Sequence, residues 1–175
     1  MKWKQHKLVT GVCVFACTGN FVGAIIASAA SIFPDAIEYW MPGTWQEHHR
    51  KTSHWFPIYL FPLLFAWSIL EAKQGFFSSP AQYISFLAIH STKSMIFVAL
   101  NFSFWFFVGC LCHLAEDAFC GGIPVFYPTE RPKWFPRLFY VGKPSEYIFS
   151  YSLVLIALFV AYPQFEKLHY LLHFR

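Results

Sequence analysis

Residues 8–33 read LVTGVCVFACTGNFVGAIIASAASIF, and whether this stretch crosses a membrane once or turns back on itself decides the fold. It contains no charged residue. As one tilted helix it is long enough for a hydrocarbon layer of about 30 Å. As two short helices it turns at Thr18-Gly19-Asn20, where glycine and asparagine supply a break in the apolar pattern.

The rest of the chain arbitrates. Trp55–Leu70, Met95–Ala115 and Tyr147–Tyr162 are apolar segments of membrane-spanning length. Residues 81–90 form a shorter apolar piece closed by Ser91-Thr92-Lys93-Ser94, which reads as interfacial or re-entrant. If residues 8–33 turn back, one membrane face holds Lys2, Lys4, Lys7, Arg50, Lys51, Arg131, Lys133, Arg137 and Lys143, leaving Lys73, Lys93, Lys167 and Arg175 on the other. A single crossing erases this bias. The positive-inside rule therefore selects the hairpin and puts the basic face in the cytoplasm. Its arms are too short to cross, so they are expected to be buried against the other helices, with Asn20 finding a polar partner.

Composition agrees. Of 175 residues, 57% are apolar, 22% aromatic and 13% charged, too apolar for a water-soluble domain of this size. The net charge of +4 lies in short clusters between apolar runs, which suits anionic headgroups; no nucleic-acid partner is expected. The predicted fold is all-α: one multi-span membrane domain over residues 1–175, with an N-terminal short helical hairpin, about three full transmembrane helices, and a final span and amphipathic tail over 145–175. Lys2 and Lys4, the apolar stretch and Ala27-Ser28-Ala29 resemble a signal peptide, but the segment is read as retained. The five cysteines, Cys13, Cys17, Cys110, Cys112 and Cys120, are odd in number and mostly inside apolar runs, so they read as free thiols. Cys120 is kept as a reserve ligand because of its position.

With the hairpin in place, His6, Asp35, His49, His54, His113 and Asp117 all fall near one membrane face. His113 and Asp117 are spaced i, i+4, so on a helix both project from one side and can grip one ion. Lys93 marks the opposite interface about 20 residues earlier, roughly 30 Å away, which sets His113 at the cytoplasmic boundary. Ionisable groups at that depth are costly unless paired or liganding. His169 and His173 share the same spacing but sit in the tail across the membrane. There is no Gly-rich phosphate loop, nucleophile elbow or Cys-x-x-Cys pair.

The order of these motifs resembles the YdjM-like family of bacterial inner-membrane proteins, described as membrane-bound metal-dependent hydrolases. The matching residues are His6, then Pro34-Asp35, then His49-Arg50 with His54. Gly109, His113 and Asp117 follow, then Gly122-Ile123-Pro124 and Pro128, so the resemblance runs over residues 6–131. It departs where the second acidic residue is Glu38, three positions after Asp35, and where Lys51 replaces the glycine of the His-Arg motif.

Together these readings point to a hydrolase at the cytoplasmic membrane face. His6, Asp35, His49, His54, His113 and Asp117 would hold one or two divalent ions, zinc before manganese or iron because of the imidazole share. Glu38 or Glu116 would act as general base or orient a ligand. The site depth suits a lipid-like ester or phosphodiester in the bilayer. Two rivals remain: a non-catalytic structural or interaction subunit of a membrane-protein complex, stapled by metal or a polar network, and a metal or proton transporter. The transporter needs polar groups across the membrane, where few occur besides serines and Asn101.

Overall fold

The computed structural model describes all residues except 41–49, 74, 78, 89–90, 129–136 and 174–175; within the helices, the side chains of Leu87 and of 163–173 are also outside the description. Among the described residues the regular elements are all helical. They run α1 (Trp3–Thr18), α2 (Phe21–Ala30), α3 (Phe33–Glu38), a 3-10 turn (Thr52–His54), α4 (Pro57–Ala72), α5 (Pro80–Ala88), α6 (Thr92–Gly121) and α7 (Pro144–His173).

The hairpin forms where the sequence places it. Gly19 closes α1 at φ 66°, a left-handed conformation that glycine adopts without penalty, and its N–H bonds the Phe15 carbonyl. The Asn20 side chain then accepts from the Gly23 N–H, capping the start of α2. Its amide donates to the Phe77 carbonyl at 2.6 Å, which is the polar partner the buried turn requires. Asn101 on α6 completes this end: it accepts from the Phe77 N–H and donates to the Gly75 carbonyl. The hairpin turn therefore reaches the level of Asn101, about 18 Å along α6 from His113 at 1.5 Å per residue.

Packing runs from α7 to α1, then α2, then α6, then α4. The α2–α6 contact is close because small residues line it: a Cβ at Gly109 would overlap the Ala27 backbone, and one at Gly23 would strike the Trp105 ring. Between helices whose outer surfaces both face lipid, such small residues permit the close approach that dispersion needs. Val14, Ala24, Ala27 and Trp105 fill the core between these helices. Large apolar side chains such as Phe61 on α4 and Phe159 on α7 are exposed, as expected of a surface facing acyl chains.

Among the described residues four stretches are long and apolar enough to cross a membrane: Phe21–Glu38, Thr52–Ala72, Thr92–Gly121 and Pro144–Tyr162. The three predicted spans lie within the last three. The fourth corrects the expectation that both hairpin arms are too short to cross: α2 continues into α3 and together they reach 18 residues, a length that neither helix has alone. The interfacial piece at 81–90 is α5 up to Ala88, and Ser91 is the N-cap of α6, with Ser94 completing a capping box.

Candidate metal centre

At the end of the bundle opposite Asn101, four elements bring acids and imidazoles together. α1 carries His6 and Thr10 on one face, four residues apart. α3 begins with Pro34 in its first turn and presents Asp35 and Glu38. The 3-10 turn delivers His54, and the last turns of α6 deliver His113, Glu116 and Asp117. The side chains of His6, His54 and His113 are fully enclosed, and that of Asp35 is 12% exposed. Asp35 is thus the open edge of the cluster, and Trp3 Nε1 donates to its Oδ2 at 3.0 Å.

Four of these residues converge. One ligand atom from each of Asp35, His54, His113 and Asp117 lies within 4.8 Å of every other. The Nε2 atoms of His54 and His113 are 3.2 Å apart. Asp35 Oδ1 is 3.4 Å from His54 Nε2 and 3.5 Å from His113 Nε2. Asp117 Oδ2 is 3.5 and 3.8 Å from the same two nitrogens. Tetrahedral zinc with bonds near 2.1 Å sets its donors about 3.4 Å apart, so the spacing and the mixed nitrogen and oxygen donors fit a divalent ion of that size. Asp35 Oδ1 and His113 Nδ1 are also buried without a hydrogen-bond partner.

Each Glu named from sequence sits behind a histidine. Glu38 Oε1 is 3.1 Å from His54 Nδ1 and also takes the Ser53 hydroxyl and, at 3.2 Å, the Arg50 N–H. Glu116 Oε2 is 2.5 Å from His6 Nδ1, and its other oxygen accepts from Thr10 at 3.0 Å. A carboxylate on Nδ1 holds the proton there and leaves Nε2 as a lone pair facing the centre. Glu116 is engaged through both oxygens and Glu38 through Oε1, so each stands where it can orient a histidine.

His6 stacks on His113, with ring centroids 4.0 Å apart, but its Nε2 is not among the four converging donors. It faces Asp117 Oδ1 at 3.5 Å and is buried without a hydrogen-bond partner. Asp117 is therefore two-sided: Oδ2 serves the four-donor group, while Oδ1 meets His6 and the Met1 amino group. His49 lies outside the described residues, and the reserve ligand Cys120 stands apart from the converging four, accepting instead from Arg50 Nη2 at 2.9 Å. All five cysteines are free.

Sequence reasoning counted Arg50 as a basic-face charge and as part of a motif, not as a neighbour of the centre. Its Nη2 is 3.3 Å from Asp117 Oδ2. Burial opposes its charge, but Asp117 and Cys120 outweigh that and hold the guanidinium above its ordinary range. Arg50 has a φ of 57°, unusual for a side-chain-bearing residue and the kind of backbone strain that gathers at functional sites. Thr10 was also missed, although its spacing of four from His6 on α1 was the available signal.

The fold and site define an all-helical, multi-pass membrane protein with a buried His/Asp cluster at one end. The family model of the YdjM inner membrane protein matches residues 1–172, and the chain belongs to that family. It is accordingly a multi-pass inner-membrane protein, and the match extends beyond the 6–131 stretch that carries the motifs. No curated protein and no solved structure matches the chain.

Proposed function

We propose that the chain is a metal-dependent hydrolase of the cytoplasmic membrane face, acting on a lipid-like ester or phosphodiester. The observation that carries this reading is the convergence of Asp35, His54, His113 and Asp117 on one point with the spacing of metal donors. The basic residues Lys2, Lys4, Lys7, Arg50 and Lys51 lie at the same end, which supports its cytoplasmic side. Residues 1–175 are read as one membrane domain.

In this reading Asp35, His54, His113 and Asp117 hold a divalent ion, zinc first by donor chemistry, with manganese or iron as alternatives. His6 faces the other oxygen of Asp117, which the Met1 amino group also meets at 2.6 Å, and is the candidate for a second ion, with His49 proposed beside it from the sequence motif alone. A bound ion supplies Lewis-acid chemistry, polarising an ester oxygen and lowering the pKa of coordinated water. Glu38 and Glu116 keep His54 and His6 in the ligating tautomer, and the surrounding helices limit water to the Asp35 edge.

A second reading is favoured by one observation: four protein donors already satisfy a tetrahedral ion, as in closed structural sites. The chain would then be a structural or interaction subunit whose metal staples α3, α6 and the 3-10 turn. The transporter reading loses support because Asn101 is engaged by backbone groups.

The test is metal analysis of the purified full chain beside a His113→Ala/Asp117→Ala double variant. At least one equivalent in the first and none in the second is expected; equal, negligible metal in both would sink the site. Hydrolysis of a panel of lipid esters and phosphodiesters by the metal-loaded chain then separates the two readings.

A further inference from the structure

Beside the four-donor centre two arginines meet over a glycine. Gly121 ends α6, and a Cβ there would lie 2.5 Å from Arg50 Nη1 and 3.5 Å from Arg137 Nη2. The two guanidinium nitrogens are therefore no further apart than the sum of those distances. Arg137 is brought there by the backbone: the Leu138 N–H bonds the Phe119 carbonyl at 2.8 Å, stitching its segment to the last turns of α6. Its guanidinium also sits 5.3 Å from the Tyr140 ring centroid, a cation–π contact.

Two like charges this close favour an anion beside them. Among the described residues Arg50 has one carboxylate partner, Asp117, and its Nη2 approaches Oδ2, the oxygen that also faces both His54 and His113. Arg50 Nε is buried without a hydrogen-bond partner. When Asp117 is committed to an ion, Arg50 loses much of that charge partner, and Arg137 has no ion pair with a described acid. The pair thus presents N–H donors in planar forks next to the proposed centre, the arrangement that suits the oxygens of a phosphate group. An uncharged carboxylic ester has no use for two fixed cations.

We infer that Arg50 and Arg137 form a phosphate-binding pair, so that the group presented to the His/Asp centre is a phosphate ester. This inference rests on the proposed metal centre for its catalytic meaning, but not for the binding itself. Exposed Leu138, Tyr140 and Val141 adjoin Arg137, an apolar and aromatic edge that places the pair where a lipid headgroup phosphate would lie.

The experiment titrates the full chain in nonionic detergent, calorimetrically, with dihexanoyl phosphatidic acid, dihexanoylglycerol and inorganic phosphate. Phosphatidic acid is expected to bind at least tenfold more tightly than dihexanoylglycerol. Arg137→Gln and Arg50→Gln are expected to weaken binding about ten- to hundredfold, as for lost charge-assisted hydrogen bonds. Arg137 is exposed, so its variant tests the pair even if Arg50→Gln fails to fold. Tighter binding of phosphatidic acid than of phosphate assigns the group to a lipid; equal binding assigns it to a soluble phosphate compound. Equal binding of phosphatidic acid and dihexanoylglycerol, or unchanged affinity in Arg137→Gln, would overturn the pair. Metal content of the same samples is measured separately: wild type without metal sinks the hydrolase reading, while the phosphate comparison still decides the arginines.

Discussion

The Nε2 atoms of His54 and His113 face each other at 3.2 Å across 59 residues of sequence. Glu38 beside His54 Nδ1 draws that ring's proton to the far side, leaving a lone pair aimed at its neighbour. An imidazole pair of this kind is stable either sharing one proton or sharing a cation, and the two flanking aspartate oxygens favour the cation.

Metal should therefore stabilise the fold, since the four donors come from α3, the 3-10 turn and α6. Chelator-treated protein is expected to unfold at lower temperature, and added zinc at a hundredfold excess over its Kd to restore about 2.7 kcal/mol. Circular dichroism in detergent would follow this. An identical zinc response in His113→Ala would argue that zinc acts elsewhere.

Glu38 Oε1 lies 3.1 Å from His54 Nδ1, so its effect on metal is expected to pass through that imidazole. Glu38→Gln is expected to weaken metal binding about ten- to hundredfold while retaining helical content, because the outer carboxylate sets tautomer and orientation. Competition against a chromophoric chelator measures it. No change in affinity would remove Glu38 from this role.

Gly109 is where α6 meets the Ala27 backbone, and no side chain fits there. Gly109→Ala should cost about 1–3 kcal/mol through overpacking. Gly11→Ala is the comparison: its Cβ would meet Ser28 Cβ at 3.1 Å, a contact that needs only a few tenths of an ångström of helix movement, against the overlap with the Ala27 carbonyl oxygen at Gly109. Titration with denaturing detergent should rank the two variants in that order, and equal stability would contradict the close α2–α6 contact.

Asn20→Ala leaves the Phe77 carbonyl and Gly23 N–H without their partner at the buried turn. A loss of about 1–3 kcal/mol is expected. Metal content should stay at the wild-type level, because the turn lies about 18 Å from the centre along α6. Loss of metal in this variant would mean that the hairpin, and not its cap alone, had failed.

Sidedness is open to a direct test with cysteine variants. In intact cells an impermeant maleimide should miss Lys4→Cys and reach it only after the membrane is opened, whereas Lys93→Cys should react from outside. Labelling of Lys4→Cys in intact cells would invert the orientation on which the proposed cytoplasmic placement of the site depends.

Much of this molecule is written locally. The hairpin turn follows from Thr18-Gly19-Asn20, because a left-handed glycine and an asparagine cap are short-range chemistry, and the long spans follow from unbroken apolar runs. The i, i+4 pair His113 and Asp117 is likewise a property of one helix. Charge asymmetry then gathered His6, Asp35 and His54 at the same end, since the positive-inside rule converts a count of lysines and arginines into geometry.

Tertiary structure decided what each of these groups faces. Asp35, His54, His113 and Asp117 converge while His6 turns to the other oxygen of Asp117, and no spacing rule encodes that division, because it depends on how α1 and α3 pack against α6. The same holds for Glu38 and Glu116, equivalent as sequence candidates but each assigned by packing to a different histidine. Arg50 and Arg137, 87 residues apart in the chain, meet only because the last turn of α6 ends in a glycine and the Leu138 N–H pairs with the Phe119 carbonyl. Sequence determines element type and which end of the bundle each group joins through local propensity and charge, whereas the direction of each donor atom is set by contacts between residues distant in the chain.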